Sequence, residues 1–340
     1  MRRRQSSATW LLLAHMGLVV YASLYPFWPW RWPPGMGLPW LFSLPWPGRF
    51  WAFDVEANLI GYIPLGVLGF AAAMRSGWGL RGALLLGLLP GPLLSFAMET
   101  LQFFVPGRVP SLSDWALNSA GSTLGAAFGL VLSGLGGLER WEDVRDHWFG
   151  ASSAPALALL ALWPLALLYP TPLPFGLGQW LPWWRETLMD ALTGTPWALN
   201  WGDAVTVEHE LPPGLEALAI ALGLLAPVLL MITVARPGLR RLALAGGAVL
   251  LGLLGTATST AMAFGPDHAW AWLSEATRPG VGLGAVLGLL ACLLPSRVAA
   301  ALGLFALCAL IGLISLAPSD PYLALNMQAW EQGRFINLYG

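Results

Sequence analysis

Met98–Gly129 reads METLQFFVPGRVPSLSDWALNSAGSTLGAAFG. Glu99, Arg108, Asp114 and Asn118 stand there between two long apolar runs. An ionisable side chain at the edge of a bilayer is costly unless it is paired or wet. The cluster is therefore a candidate functional site, and the apolar runs on either side are its scaffold.

Composition sets the class. Charged residues are 10% of the 340 and hydrophobic residues 56%, with mean hydropathy +0.64. Soluble chains carry about 25% charged residues. This chain would expose far too much apolar surface in water, so it reads as an all-α, polytopic transmembrane helix bundle. The 17 basic residues are all Arg, net charge is -1, and no basic patch points to nucleic acid. Cys292 and Cys308 both lie in apolar runs and read as buried packing residues. Arg2–Arg4 followed by an apolar stretch from Trp10 imitates a secretion signal, but no small-residue cleavage site follows, so it reads as an uncleaved first helix.

About nine spans emerge, near 10–27, 57–74, 82–104, 114–135, 154–170, 215–235, 242–262, 281–295 and 298–317. With the N-terminus inside, the inner segments hold Arg2–Arg4, Arg75, Arg81, Arg140, Arg145, Arg236, Arg240, Arg241 and Arg297, most of the 17 arginines. That bias follows the positive-inside rule. Tryptophans and prolines crowd the outer side, in Trp28–Trp51 and in the long loop 171–213. They read as an interfacial belt, or alternatively as a platform for a sugar or lipid headgroup. Whether 28–51 lies on the membrane or dips into it is open at this point.

Spacing shows which polar groups meet. Glu99 and Gln102 share a helix face near the outer end of the third span. Pro106-Gly107 is expected to end that helix, with Arg108 in the short loop beyond it. Ser111 and Ser113 offer capping hydroxyls, and Asp114 puts a carboxylate at the positive end of the next helix. Asp114, Asn118, Gly121 and Gly125 form one stripe, and Gly121, Gly125 and Gly129 make a small-xxx-small packing face. Asn58 lies at the outer end of the second span, preceded by Asp54 and Glu56, with Pro64 in the run. Asn58, Glu99, Gln102, Arg108, Ser111, Asp114 and Asn118 thus fall at one depth and form the candidate ligand-binding set. Glu99, Arg108 and Asp114 are the candidates for catalysis. Two accounts compete: a Glu–Arg–Asp network that locks helix ends, and a pocket in which Arg108 holds an anionic headgroup and Glu99 accepts a proton or hydroxyl.

Other polar features carry less. Glu208-His209-Glu210 reads as a solvated loop rather than a metal site, His15 as a hydrogen-bonded helix residue, and Glu139–His147 as a solvated amphipathic turn. No cofactor motif is present, and no metal set is expected.

The halves look related. GSTLGAAFGLV at 121–131 matches GVGLGAVLGLL at 280–290, and Leu24-Tyr25-Pro26 recurs as Leu168-Tyr169-Pro170. Two parallel four-helix repeats plus one extra helix would follow; chance likeness between Gly-, Ala- and Leu-rich helices is the competing explanation. Residues 1–137 then form the first unit, 138–153 a cytoplasmic loop, 154–296 a degenerate second unit, and 297–340 the ninth helix and an outer tail.

Asn58 with Pro64-Leu65-Gly66, Glu99-x-x-Gln102, and Arg108-x-x-Ser111-x-x-Asp114-x-x-x-Asn118-x-x-Gly121-x-x-x-Gly125 together resemble the VanZ-like family of bacterial polytopic membrane proteins. The resemblance covers roughly 10–135. It implies a cytoplasmic-membrane protein with an envelope-related role, the family being named for low-level teicoplanin resistance. It supplies no reaction. The partners expected are membrane lipids and an envelope lipid or glycopeptide-like ligand; the oligomeric state is not legible. A binder is favoured over a membrane enzyme with Glu99 as base, since no nucleophile-plus-base pair is visible. A transporter is less favoured, since the polar set sits at one face rather than the midplane.

Overall fold

The computed structural model describes residues 6–25, 27, 29–33, 35, 37, 42–46, 52–169, 171–176, 178, 181–197, 211–317 and 322. Among these the regular structure is helical. Seven helical segments are long and apolar enough to cross a membrane: Ser7–Leu24, Asp54–Arg75, Gly79–Gln102, Leu112–Gly134, Pro213–Val234, Leu239–Phe264 and Ser296–Ile314. Two further apolar helices, Ala154–Leu167 and Arg278–Ala291, stop at 14 residues. The protein is a polytopic helical membrane protein. Two compact units divide the chain, one up to Ala158 and one from Leu159.

The first unit holds α1 (Ser7–Leu24), α2 (Ala52–Arg75), α3 (Gly79–Leu88), α4 (Pro90–Gln102), α5 (Leu112–Gly134) and α6 (Gly137–Trp148). Helix α2 is its axis and packs against α1, α3, α4 and α5. It begins at Ala52, so Asp54 and Glu56 lie within it rather than before it. Leu65 and Phe70 are fully buried on it. Gly121, Gly125 and Gly129 of α5 lie against Leu59, Ile63 and Phe70 of α2. That is the close approach expected of a small-residue stripe. Leu124, Phe128 and Val131 on the other side of α5 are exposed, as lipid-facing residues are.

The third span, Gly79–Gln102, runs on through Leu89, which keeps helical dihedrals (φ -82, ψ -41), but its ladder lacks rungs where α3 meets α4, because Pro90 and Pro92 bring no N–H. Side chains of α5 take the carbonyls near this point: Ser122 Oγ donates to Gly87 O at 3.2 Å and Trp115 Nε1 to Pro92 O at 3.0 Å. Helix α4 ends at Gln102, before Pro106-Gly107. Pro64 stays inside α2, and one turn away His15 Nε2 on α1 donates to Gly61 O at 2.9 Å.

The stretch 139–147 is helix α6 rather than a turn; most of it is exposed, while Arg145 is only 3% exposed. Arg75 at the end of α2 pairs with Glu142 at 2.6 Å, and Arg145 with Asp146 at 3.0 Å. Burying the cationic ends of two helices against each other required carboxylates between them.

Helix α7 (Ala154–Leu167) carries the boundary between units. The second unit continues with α8 (Leu181–Leu192), inside what reads from sequence as a plain outer loop, then α9 (Pro213–Val234), α10 (Leu239–Phe264), α11 (Arg278–Ala291) and α12 (Ser296–Ile314). Helix α9 is the axis here, packing on α10, α11 and α12. Cys292 is buried, but Cys308 is exposed on α12, contrary to the expectation of a buried packing residue. Arg241 is buried and staples the turn after α11, donating to Leu294 O at 2.7 Å and Ser296 Oγ at 2.8 Å. Arg241→Met is expected to lower stability by about 2–4 kcal/mol, because buried acceptors lose their donors. Thermal unfolding in detergent measures it.

Candidate functional site

The connection between α4 and α5 is built around one residue. Ser111 is extended (φ -145, ψ 131) and caps α5, its hydroxyl accepting from Asp114 N at 3.4 Å. Its own backbone N–H donates to Glu99 Oε2 at 2.8 Å. The carboxylate in α4 thus holds the start of α5 through a main-chain donor. Ser111 Oγ and Ser113 Oγ lie 2.8 Å apart, and Ser113 Oγ donates to Asp114 Oδ1 at 3.1 Å. Asn58 of α2 lies beside the Asp114 carboxylate. Glu99 and Asp54 both lie close enough for their charges to act on Asp114. Glu99 is 4% exposed and Asp114 half-buried.

One turn deeper lies a second group. Asn118 Nδ2 donates to Ser95 Oγ at 2.9 Å, with Tyr62 close to Ser95 and Glu99. Asn118 Oδ1 is buried without a partner. Ser95 and Tyr62 escaped the sequence reading. Each had a signal: Ser95 is four residues before Glu99, and Tyr62 four after Asn58, so both extend a stripe already drawn.

Arg108 and Gln102 belong to a different structure. Arg108 Nη2 donates to Ala22 O at 3.1 Å and Tyr25 O at 3.2 Å, and Gln102 Nε2 to Ser23 O at 3.2 Å. Together they satisfy the terminal carbonyls of α1, where a helix dipole favours a cation. Neither side chain reaches the carboxylates. The expected Glu–Arg–Asp network is therefore an acidic cluster and a separate helix cap. Arg108→Ala is expected to lower stability by about 1–2 kcal/mol through the α1 terminus, with no change in what the acidic cluster binds. A thermal melt paired with lipid analysis of the purified protein checks both halves.

The tryptophan-rich segment is pinned to the same connection. Arg31 N donates to Phe104 O at 2.9 Å, Leu112 N donates to Pro45 O at 2.9 Å, and Trp30 and Trp32 pack on Phe104. Trp28, Trp40 and Trp51 lie outside the described residues, as do Glu208-His209-Glu210. Among the described residues no group of three or more His, Cys, Asp or Glu converges as a metal site would need.

Chemically, the cluster is rich in acceptors. Among the described residues, Glu99, Asp114 and Asn118 Oδ1 face no basic side chain that bonds them, in a setting half or fully removed from water. Such a site favours a hydrogen-bond donor or a cationic group over an anion.

No curated protein and no solved structure matches the chain. Residues 8–133, the span that contains the whole of this cluster, match the family model VanZ/LLP1, so this part of the chain is similar to that family.

Proposed function

We propose that the first unit binds the donor-bearing part of an envelope ligand, a lipid headgroup or a glycopeptide-like molecule with hydroxyl or ammonium groups, at the cluster of Asn58, Glu99, Ser111, Asp114 and Asn118. The observation that carries this reading is the buried Glu99 carboxylate beside Asp114, with Asn118 Oδ1 unpartnered one turn below. An orphaned buried acceptor is costly, and a bound donor offsets that cost. Arg108 and Gln102 have the supporting role of holding α1. An enzyme with Arg108 as anion clamp is disfavoured, because its Nη2 is turned to the α1 carbonyls and away from the carboxylates.

The setting that goes with this reading is the bacterial cytoplasmic membrane, N-terminus inside, with the cluster toward the outer face. The arginine distribution supports that orientation. An envelope role of the teicoplanin-resistance kind fits a donor-rich ligand at that face. A parallel repeat is supported by the packing of glycines. Gly121 and Gly125 of α5 lie against Leu59 and Ile63 of α2, while Gly280 and Gly284 of α11 lie against Ala217 and Ala221 of α9. The experiment is to purify the protein in native lipid nanodiscs and identify co-purifying molecules by mass spectrometry. A ligand bearing hydroxyl or amine groups, retained by the wild type and lost from Glu99→Gln at equal protein level, bears the reading out. Identical ligand content in both would overturn it.

A further inference from the structure

At one end of the second unit the turn after α9 meets the turn after α11. Arg241, in the first turn of α10, ties them together. Its Nε donates to Ala235 O at 3.4 Å, its Nη1 to Leu294 O at 2.7 Å and its Nη2 to Ser296 Oγ at 2.8 Å. Arg240 precedes Arg241 and Arg297 follows Ser296, so both are chain neighbours of one hydrogen-bonded pair. Arg236 lies in the turn after α9. Arg241 is buried in the staple, while Arg297 is exposed and Arg240 half-buried.

This end of the unit lacks counter-charge. No Asp or Glu occurs between Glu216 and Asp267, or between Glu275 and Asp320, so α10, α11, α12 and both turns carry no carboxylate. Among the described residues none pairs with Arg240 or Arg297. The first unit is built otherwise, with Arg75 matched by Glu142 and Arg145 by Asp146. Helix stability does not call for these cations either. Arg240 and Arg297 stand in the first turns of α10 and α12, where the helix dipole disfavours positive charge. Positive charge gathered without carboxylates is offset by an anion from outside the chain.

Position says which anion. Helices α9, α10 and α12 are all long and apolar enough to cross a membrane, so the turns at their ends lie at a bilayer surface. Leu239 and Leu293, 81% and 83% exposed, stand out beside the same arginines, as residues that enter the acyl boundary do. Guanidinium forks match the oxygens of a phosphate. We infer that this arginine-rich end binds the phosphate of an anionic phospholipid, with Leu239 and Leu293 against its acyl chains. The surface is separate from the acidic cluster and does not depend on the reading of the first unit.

The test uses the full chain in nanodiscs of equimolar phosphatidylglycerol and phosphatidylcholine, with native mass spectrometry counting the lipids retained. Wild type is expected to prefer phosphatidylglycerol, and the preference to fall at least about fivefold in Arg240→Gln/Arg297→Gln. Arg81→Gln/Arg140→Gln removes two exposed arginines of the first unit and is expected to keep it. Equal loss in both variants would reduce the effect to net charge, and no preference in the wild type would abolish it; either overturns the inference. So does binding of poly-glutamate by a wild type that shows no lipid preference, since the surface would then dock an acidic protein. If the Gln pair does not fold, the wild type still decides: added salt must weaken the preference, and an unchanged preference overturns the inference.

Discussion

Gly125→Val is expected to abolish most of the folded protein. A Cβ at Gly125 would overlap the Ile63 carbonyl oxygen of α2, and one at Gly121 the Leu59 oxygen. From the other side, a Cβ at Gly66 would overlap Ser122 O. These are backbone atoms inside helices, so no rotamer change relieves the clash; the two helices must separate. Separation forfeits the packing that joins α2 to α5, the most extensive contact of the unit. Overpacking that moves backbone costs about 3 kcal/mol or more. Gly61→Ala is the control, because nothing lies within 4 Å of its added methyl. It is expected to be neutral or to stabilise by up to about 1 kcal/mol, alanine being the better helix former. Fluorescence-detected size-exclusion chromatography reads both. Equal monodisperse yield from Gly125→Val and Gly61→Ala would mean that the α2–α5 seam does not hold the unit together.

The second large effect divides one residue into two roles. Glu99→Leu leaves the Ser111 N–H buried without an acceptor and is expected to cost about 1–3 kcal/mol in stability. Glu99→Gln keeps an oxygen for Ser111 N and removes any negative charge that Glu99 places beside Asp114. Its stability is expected at or above wild type, because like charges close together in a poorly solvated site repel. Ligand retention by Glu99→Gln is expected to fall at least about tenfold, the loss of one charge-assisted hydrogen bond. Melting curves and mass spectrometry on the same preparation separate the roles. A variant that melts early and keeps its ligand would make Glu99 a structural brace only.

Much of this was legible in advance. The glycine stripe, the Ser111 cap and the convergence of Asn58, Glu99 and Asp114 follow from side-chain spacing along helices. So does the depth of Asn118, whose actual neighbour Ser95 lies on the same i, i+4 row as Glu99. Arg108 lies in the expected loop, but its partners were not legible, because a charged side chain invites a charged partner and its real partners are carbonyls. Every residue has a carbonyl, so which ones stay unsatisfied depends on where α1 ends. The missing ladder rungs at Pro90 and Pro92 are not legible in hydropathy for a related reason. Hydropathy runs through Pro90 unchanged, while the hydrogen-bond ladder does not.

The chain by itself determined a membrane-spanning helical protein, and which residues of each helix share a face. Both are properties of short windows, set by apolar content and the helical repeat. Tertiary structure alone decided who meets whom. It gave Glu99 a backbone N–H instead of a guanidinium, and it sent Arg108 back more than eighty residues to Ala22 and Tyr25. It also joined the turns beside Arg240 and Arg297 through Arg241 and Ser296. A face fixes a direction, but the neighbour on that side is set by how whole helices pack and where their orphaned ends fall.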